Sequence, residues 1–154
     1  MGTDKFSLMN VESSWFEDRS EVLKSIGLEV IISCRKDQMA AIPNTFIVVK
    51  DEEALEGKGI YSSLISCLNN RKEDLLFLPV DMNNITSTEL LRLKNSHESK
   101  PTAYRSLDGY VFPFPIIIPY SFLSHLIEAE RNGCLLYTSP SPRDRTRSRM
   151  PSSA

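Results

Sequence analysis

Two aspartates in this chain stand directly behind apolar runs. Asp81 follows LLFLPV (75–80), and Asp51 follows TFIVV (45–49) with one lysine between. A carboxylate that leaves a buried strand faces the crevice at the strand ends, where ligands of open α/β sheets sit. At Asp81 it is a hard oxygen ligand suited to Mg²⁺ held between protein and nucleotide phosphates. The local alternative is a turn cap before Asn83 and Asn84. At Asp51 the carboxylate can hydrogen-bond a ribose hydroxyl or steer a metal, and the alternative is one charge in the solvated run KDEEALE. Ser33 closes a third apolar run, EVIIS, and so reaches the same crevice. Lys5, in the opening MGTDK, is a compact positive charge that can meet a triphosphate, or one residue of a frayed end.

Other candidates carry less. His97 and His125 have no Cys, Asp or His partner at a metal or nucleophile spacing, so both read as structural or surface residues. Trp15 and Phe16 read as a packing pair. The chain has no phosphate loop of the GxxxxGK[ST] form and no GxSxG nucleophile turn.

The elements that must position these residues follow from periodicity. Residues 17–26 place Val22, Leu23 and Ile26 on one helical face with Phe16, and Gly27 is a stop. Residues 29–33 and 45–49 read as buried strands, the second entered from a Pro43-Asn44 turn. Residues 60–68 are helical, with Ile60, Leu64, Cys67 and Leu68 on one side. The wholly apolar 75–80 reads as a central parallel strand. TSTELLRLK opens on a capping pattern, Thr86 three residues before Glu89, and predicts a helix to about Lys94. TAYRS (102–106) and 111–118 are strands joined at Asp108-Gly109, with Pro113 and Pro115 making the second an edge or an interrupted strand. Residues 119–133 close as a helix between Pro119 and Gly133. Alternating strands and helices predict an α/β, Rossmann-like fold with a mainly parallel sheet and helices on both faces.

Composition bounds the function. The 154 residues suit one domain. No run approaches the roughly 20 apolar residues of a membrane helix, so no membrane partner is expected. Cys34, Cys67 and Cys134 form no CxxC pair, which fits reduced thiols in a cytoplasmic protein. Arg143, Arg145, Arg147 and Arg149 against Asp144 give residues 134–154 a charge of +3, so residues 1–133, with 14 Lys+Arg and 19 Asp+Glu, carry −5. An acidic body argues against nucleic acid as a partner.

Taken in order, these pieces resemble the molybdenum cofactor guanylyltransferases, the MobA-like branch of the nucleotidyltransferases. MGTDK matches the end of that family's LxGGxSxRMGxDK loop. VIISCRKDQ is similar to its second strand and the turn after it, and VVKD to the strand ending in the nucleotide-side aspartate. EGKGIYSSL is similar to a shortened GPLxG segment with Gly59 as its last glycine, and LFLPVDM to the segment carrying the metal-binding aspartate. TAYRSLDGY is similar to the later substrate-side strands. The resemblance spans nearly all of residues 1–133, read as one partial domain. It implies transfer of GMP from Mg·GTP to the molybdopterin phosphate with release of pyrophosphate, among other proteins of molybdenum cofactor biosynthesis. It implies Lys5 on phosphate, Asp81 on Mg²⁺, Asp51 and Ser33 on the nucleoside side, and Gly59 where backbone approaches the base.

The departures are specific. The first strand and the GGxSxR half of the loop are absent, Glu12-Ser13-Ser14 replaces a GKP turn, the GPL element lacks its Pro and Leu, and Phe114 precedes Pro115 where relatives place a polar residue. A sister nucleotidyltransferase using CTP, or acting on a sugar or polyol phosphate, is one alternative; a degenerate, non-catalytic nucleotide-binding module is another. Residues 134–154 resemble translated sequencing-adapter read-through: 134–144 match a transposon end, 145–147 a variable index and 148–154 a flow-cell end. The sequence therefore reads as a fragment clipped at both ends, with a non-native tail expected to lack order.

Overall fold

The structure, a computed structural model, describes residues 15–133. Lys5 with the MGTDK segment, and the tail 134–154, lie outside the described residues. The element order is α1 (Trp15–Ser25), β1 (Ile31–Cys34), β2 (Ile47–Lys50), α2 (Ile60–Arg71), β3 (Leu75–Phe77), α3 (Ser87–Asn95), β4 (Thr102–Arg105), β5 (Val111–Ile118) and α4 (Leu123–Arg131). Helices are interleaved with single strands and strand pairs, and the fold is α/β.

The helices form where local chemistry defines them. Glu17 and Asp18 occupy the first turn of α1 and Lys24 its last, complementing the helix dipole. Thr86 and Glu89 make the expected capping box at α3: the Thr86 hydroxyl accepts from the Glu89 amide at 3.2 Å, and the Glu89 carboxylate accepts from the Thr86 amide at 2.8 Å. α2 is the most buried helix, with Leu64, Cys67 and Leu68 each about 1% exposed or less.

The described strands divide into two sheets. β1 and β2 pair in parallel, Ile31 against Ile47 through Cys34 against Lys50. The other three are antiparallel in the order β3-β5-β4. Parallel pairing is thus confined, among the described residues, to β1 and β2. The reading of 75–80 as a central parallel strand is corrected: β3 is three residues long, half-buried, lies at one side of its sheet and runs antiparallel to β5. An apolar run reports burial on both faces but not the direction of the partner, and Pro79, without an N–H, cannot extend the ladder.

β5 is the middle strand rather than an edge. Its Ile116 and Ile117 face Phe77 and Leu76 of β3 on one side and Ala103 and Thr102 of β4 on the other. The expected interruption is present: the β4 register shifts between Ala103 and Arg105, opposite the stretch that carries Pro113 and Pro115. Gly109, at φ 87°, closes the β4–β5 turn, where the Ser106 amide donates to the Tyr110 carbonyl at 2.8 Å.

Among the described residues two apolar clusters result. One gathers Tyr61, Leu64, Ile65 and Leu68 of α2 with Ile118 of β5 and Leu126 of α4. The other gathers Phe16 of α1, Ile32 and Cys34 of β1, and Ile42. Phe16 meets Phe46 edge-on at 5.5 Å, so it is a packing residue as expected. A groove of about 420 Å³ runs between β1 and β3, floored by α1 and α2.

Candidate functional site

β1 and β2 end together because they are parallel and in register, and their carboxyl ends open into a cleft of about 1180 Å³. Ser33, Asp51 and Gly59 all line it. The Asp51 amide donates to the Cys34 carbonyl at 3.1 Å, carrying the ladder one residue past β2 and fixing where the side chain emerges.

Asp51 is held from two elements. The Ser33 hydroxyl of β1 donates to its Oδ1 at 3.2 Å, and the Ser63 hydroxyl of α2 donates to the same oxygen at 3.3 Å. Burial pushes the Asp51 carboxyl above its ordinary value; the two hydroxyls, and more weakly Arg35, pull against that shift. Burial likewise raises Cys34, with Asp51 and Asp37 adding to it, and pushes the Cys67 thiol up to about 11. Both thiols are buried and unbridged. They are inert packing groups beside the cleft.

Ser63 belongs to a row of hydroxyls on α2 that grips the loop after β2. Ser62 donates to the Leu55 carbonyl, and Ser66 accepts from the Glu52 amide at 2.8 Å. One helix thus orders the whole 51–55 segment. Gly59 caps the helix start at φ 58°, ψ −131°, a backbone conformation that side chains rarely adopt. No atom lies within 4 Å of where its Cβ would be, so glycine is required here by conformation and not by crowding. Lys58 ties the same loop to α4 through Glu130 at 2.8 Å.

Asp81 sits apart from this cluster, exposed on the turn after β3, and borders the smaller groove. That groove shares Ser33, Ile60, Ser63 and Val80 with the large cleft, so the two spaces border the same side chains. Arg19 of α1 anchors the Asp81 turn, donating to the carbonyls of Met82 at 2.9 Å and Asn83 at 3.4 Å. The Arg19 Nε is buried and has no protein acceptor among the described residues.

Ser33, Asp51 and Gly59 therefore share one cleft, Asp81 lies on an adjoining groove, and Lys5 is outside the described residues. Ser63 and Arg19 were not foreseen. Hydroxyls at 62, 63 and 66 inside an otherwise buried helix were the available sign for Ser63. Arg19 contacts a turn more than sixty residues away, and nothing local announces it. Both histidines are structural. His97 bridges Asp74 at 2.9 Å and Thr102 at 3.1 Å, and His125 stacks on Phe122 at 4.8 Å. Among the described residues no group of three or more His, Cys, Asp or Glu is arranged to hold a metal by itself, and no helix is long and apolar enough to cross a membrane.

A comparison with protein-family models matches residues 1–138 to the MobA-like NTP transferase domain. No curated protein matches the chain.

Proposed function

The chain belongs to the MobA-like NTP transferase family, and on that premise we propose that the protein transfers GMP from Mg·GTP to the phosphate of molybdopterin, releasing pyrophosphate. The observation that carries this reading is the half-buried Asp51, held by Ser33 and Ser63 at the ends of two parallel strands and facing a cleft large enough for a nucleotide. In this reading Asp51 and Ser33 hold the nucleoside, and Gly59 supplies backbone beside the base. Lys5 meets the triphosphate and stabilises the charge that builds on it.

The donor set at Asp81 fits a magnesium ion that arrives with the nucleotide. Mg²⁺ keeps several waters and takes one or two carboxylates together with substrate phosphates. A single carboxylate on a solvent-facing turn, braced by Arg19, supplies that much and no more. When bound, the ion neutralises charge on the phosphates during an in-line displacement. The chain's own residues position and desolvate the reactants, and no side-chain nucleophile is required. Such an enzyme works in the cytoplasm alongside the other proteins of molybdenum cofactor biosynthesis.

The test is nucleotidyl transfer by the protein, followed as pyrophosphate release with Mg²⁺ and molybdopterin. The Asp81→Ala variant is expected to lose at least 100-fold in turnover, of the order seen when one electrostatic contact to a transition state is removed, with its thermal midpoint nearly unchanged. Near-normal turnover in that variant would reduce Asp81 to a turn residue. The shortened Glu56-to-Gly59 segment leaves base choice to be read from the same assay. Turnover with CTP in place of GTP, or with a sugar or polyol phosphate as acceptor, would identify a sister nucleotidyltransferase. Absence of turnover with retained nucleotide binding would identify a non-catalytic module.

A further inference from the structure

Asp51 uses one carboxylate oxygen for the protein and leaves the other for something else. Both hydroxyl donors, Ser33 and Ser63, converge on Oδ1. Among the described residues no hydrogen bond reaches Oδ2; Arg35, which lines the same cleft, acts on the carboxylate by charge. The two donors come from different elements, β1 and α2, so the carboxylate cannot rotate without losing one or both. Its second oxygen therefore has a defined direction at the edge of the cleft.

We propose that Ser63 is a positioning residue: it fixes Asp51 so that Oδ2 accepts a hydrogen bond from an N–H or O–H donor of the nucleoside, and this half of the site recognises the nucleoside without help from the triphosphate. The inference rests on the nucleotidyltransferase reading and deepens it. Every group it needs, Ser33, Asp51, Gly59 and Ser63, lies within 33–63 and lines one cleft. A carboxylate also rejects ligands that lack the matching donor, because a half-buried acceptor left unpaired keeps its desolvation cost. The geometry thus predicts selectivity, not merely affinity. The donor is either a ribose hydroxyl or an amino group of the base, and the experiment separates them.

The full 154-residue chain is titrated with guanosine and cytidine, each beside its 2′,3′-dideoxy form, and with inosine, which lacks the base amino group of guanosine. Backbone amide shifts report binding. Wild type is expected to bind at least one nucleoside, and about tenfold more weakly the analogue that lacks the donor. Ser63→Ala should weaken the favoured nucleoside about 3- to 10-fold and leave that analogue unchanged. Ser63→Thr, which keeps the hydroxyl, should stay within about twofold of wild type. In an Asp51→Asn background, Ser63→Ala should have no further effect, since Ser63 acts through Asp51.

Unchanged binding in Ser63→Ala, or equal weakening toward every analogue, would overturn the proposal. So would wild type binding all analogues alike, a result that needs no variant to fold. A wild type that binds no nucleoside also overturns it. The transferase reading would then still stand or fall separately, on magnesium-dependent turnover.

Discussion

Asp51 is a residue whose placement costs stability. Burial raises its carboxyl above the ordinary value of 3.8, and the two serine hydroxyls only partly offset this. A group with a raised folded pKa binds its proton more tightly when folded, so its contribution to stability is fully present below pH 3.8 and is lost as pH rises through the folded value. Wild type should therefore show an Asp51-dependent fall in urea midpoint as pH is raised from about 3.5 toward neutrality. Asp51→Asn should lack that fall, and at pH 7 should be at least as stable as wild type while losing nucleoside binding. A variant that is both less stable at pH 7 and unchanged in binding would make Asp51 structural. The residue was visible in the sequence as a carboxylate behind a strand. Its brace was not: Ser63 lies twelve residues away, on a helix whose approach to β2 is a tertiary fact.

At the level of elements, α3 depends on its cap. Thr86→Ala removes an acceptor for the Glu89 amide and the hydroxyl that donates to the Glu89 carboxylate. The expected cost is about 1 kcal/mol, read as a lowered urea midpoint with unchanged slope. Loss of the same size in Thr86→Ser would argue that the methyl, not the hydroxyl, matters. This cap was legible because it is made by residues three apart. The helix stop at Gly27 and the interruption of β5 by its prolines were legible for the same reason. Strand direction was not. The run 75–80 has the composition of a parallel core strand, yet β3 meets β5 antiparallel. That choice is made by a partner some forty residues downstream. The Asp74 clasp shows the same limit: its carboxylate joins His97 to the Tyr120 amide at 2.9 Å. These partners hold the Asp74 carboxyl below its ordinary value, His97 first and Tyr120 second, and no periodicity predicts them.

Across the whole molecule, the α/β class, the order of the elements and three members of the cleft were readable, because each rests on local pattern. The division into two sheets and two apolar clusters was not, since it depends on which edges meet. That division has a thermodynamic consequence. The cluster built on Phe16, Ile32, Cys34 and Ile42 is smaller than the one built on α2, β5 and α4; a groove separates β1 from β3, and the serines of α2 join the two halves through Asp51 and the loop after β2. Opening should therefore occur in two cooperative units rather than one. Amide hydrogen exchange in low urea should release Ile32 and Ser33 of β1 along one isotherm, and Leu68 of α2 and Ile117 of β5 along a steeper, more stable one. A single shared isotherm would show the groove to be no barrier. With two units, the van't Hoff enthalpy of melting falls short of the calorimetric one, and loosening of β1 and β2 breaks the Ser63–Asp51 hydrogen bond while α2 stays folded.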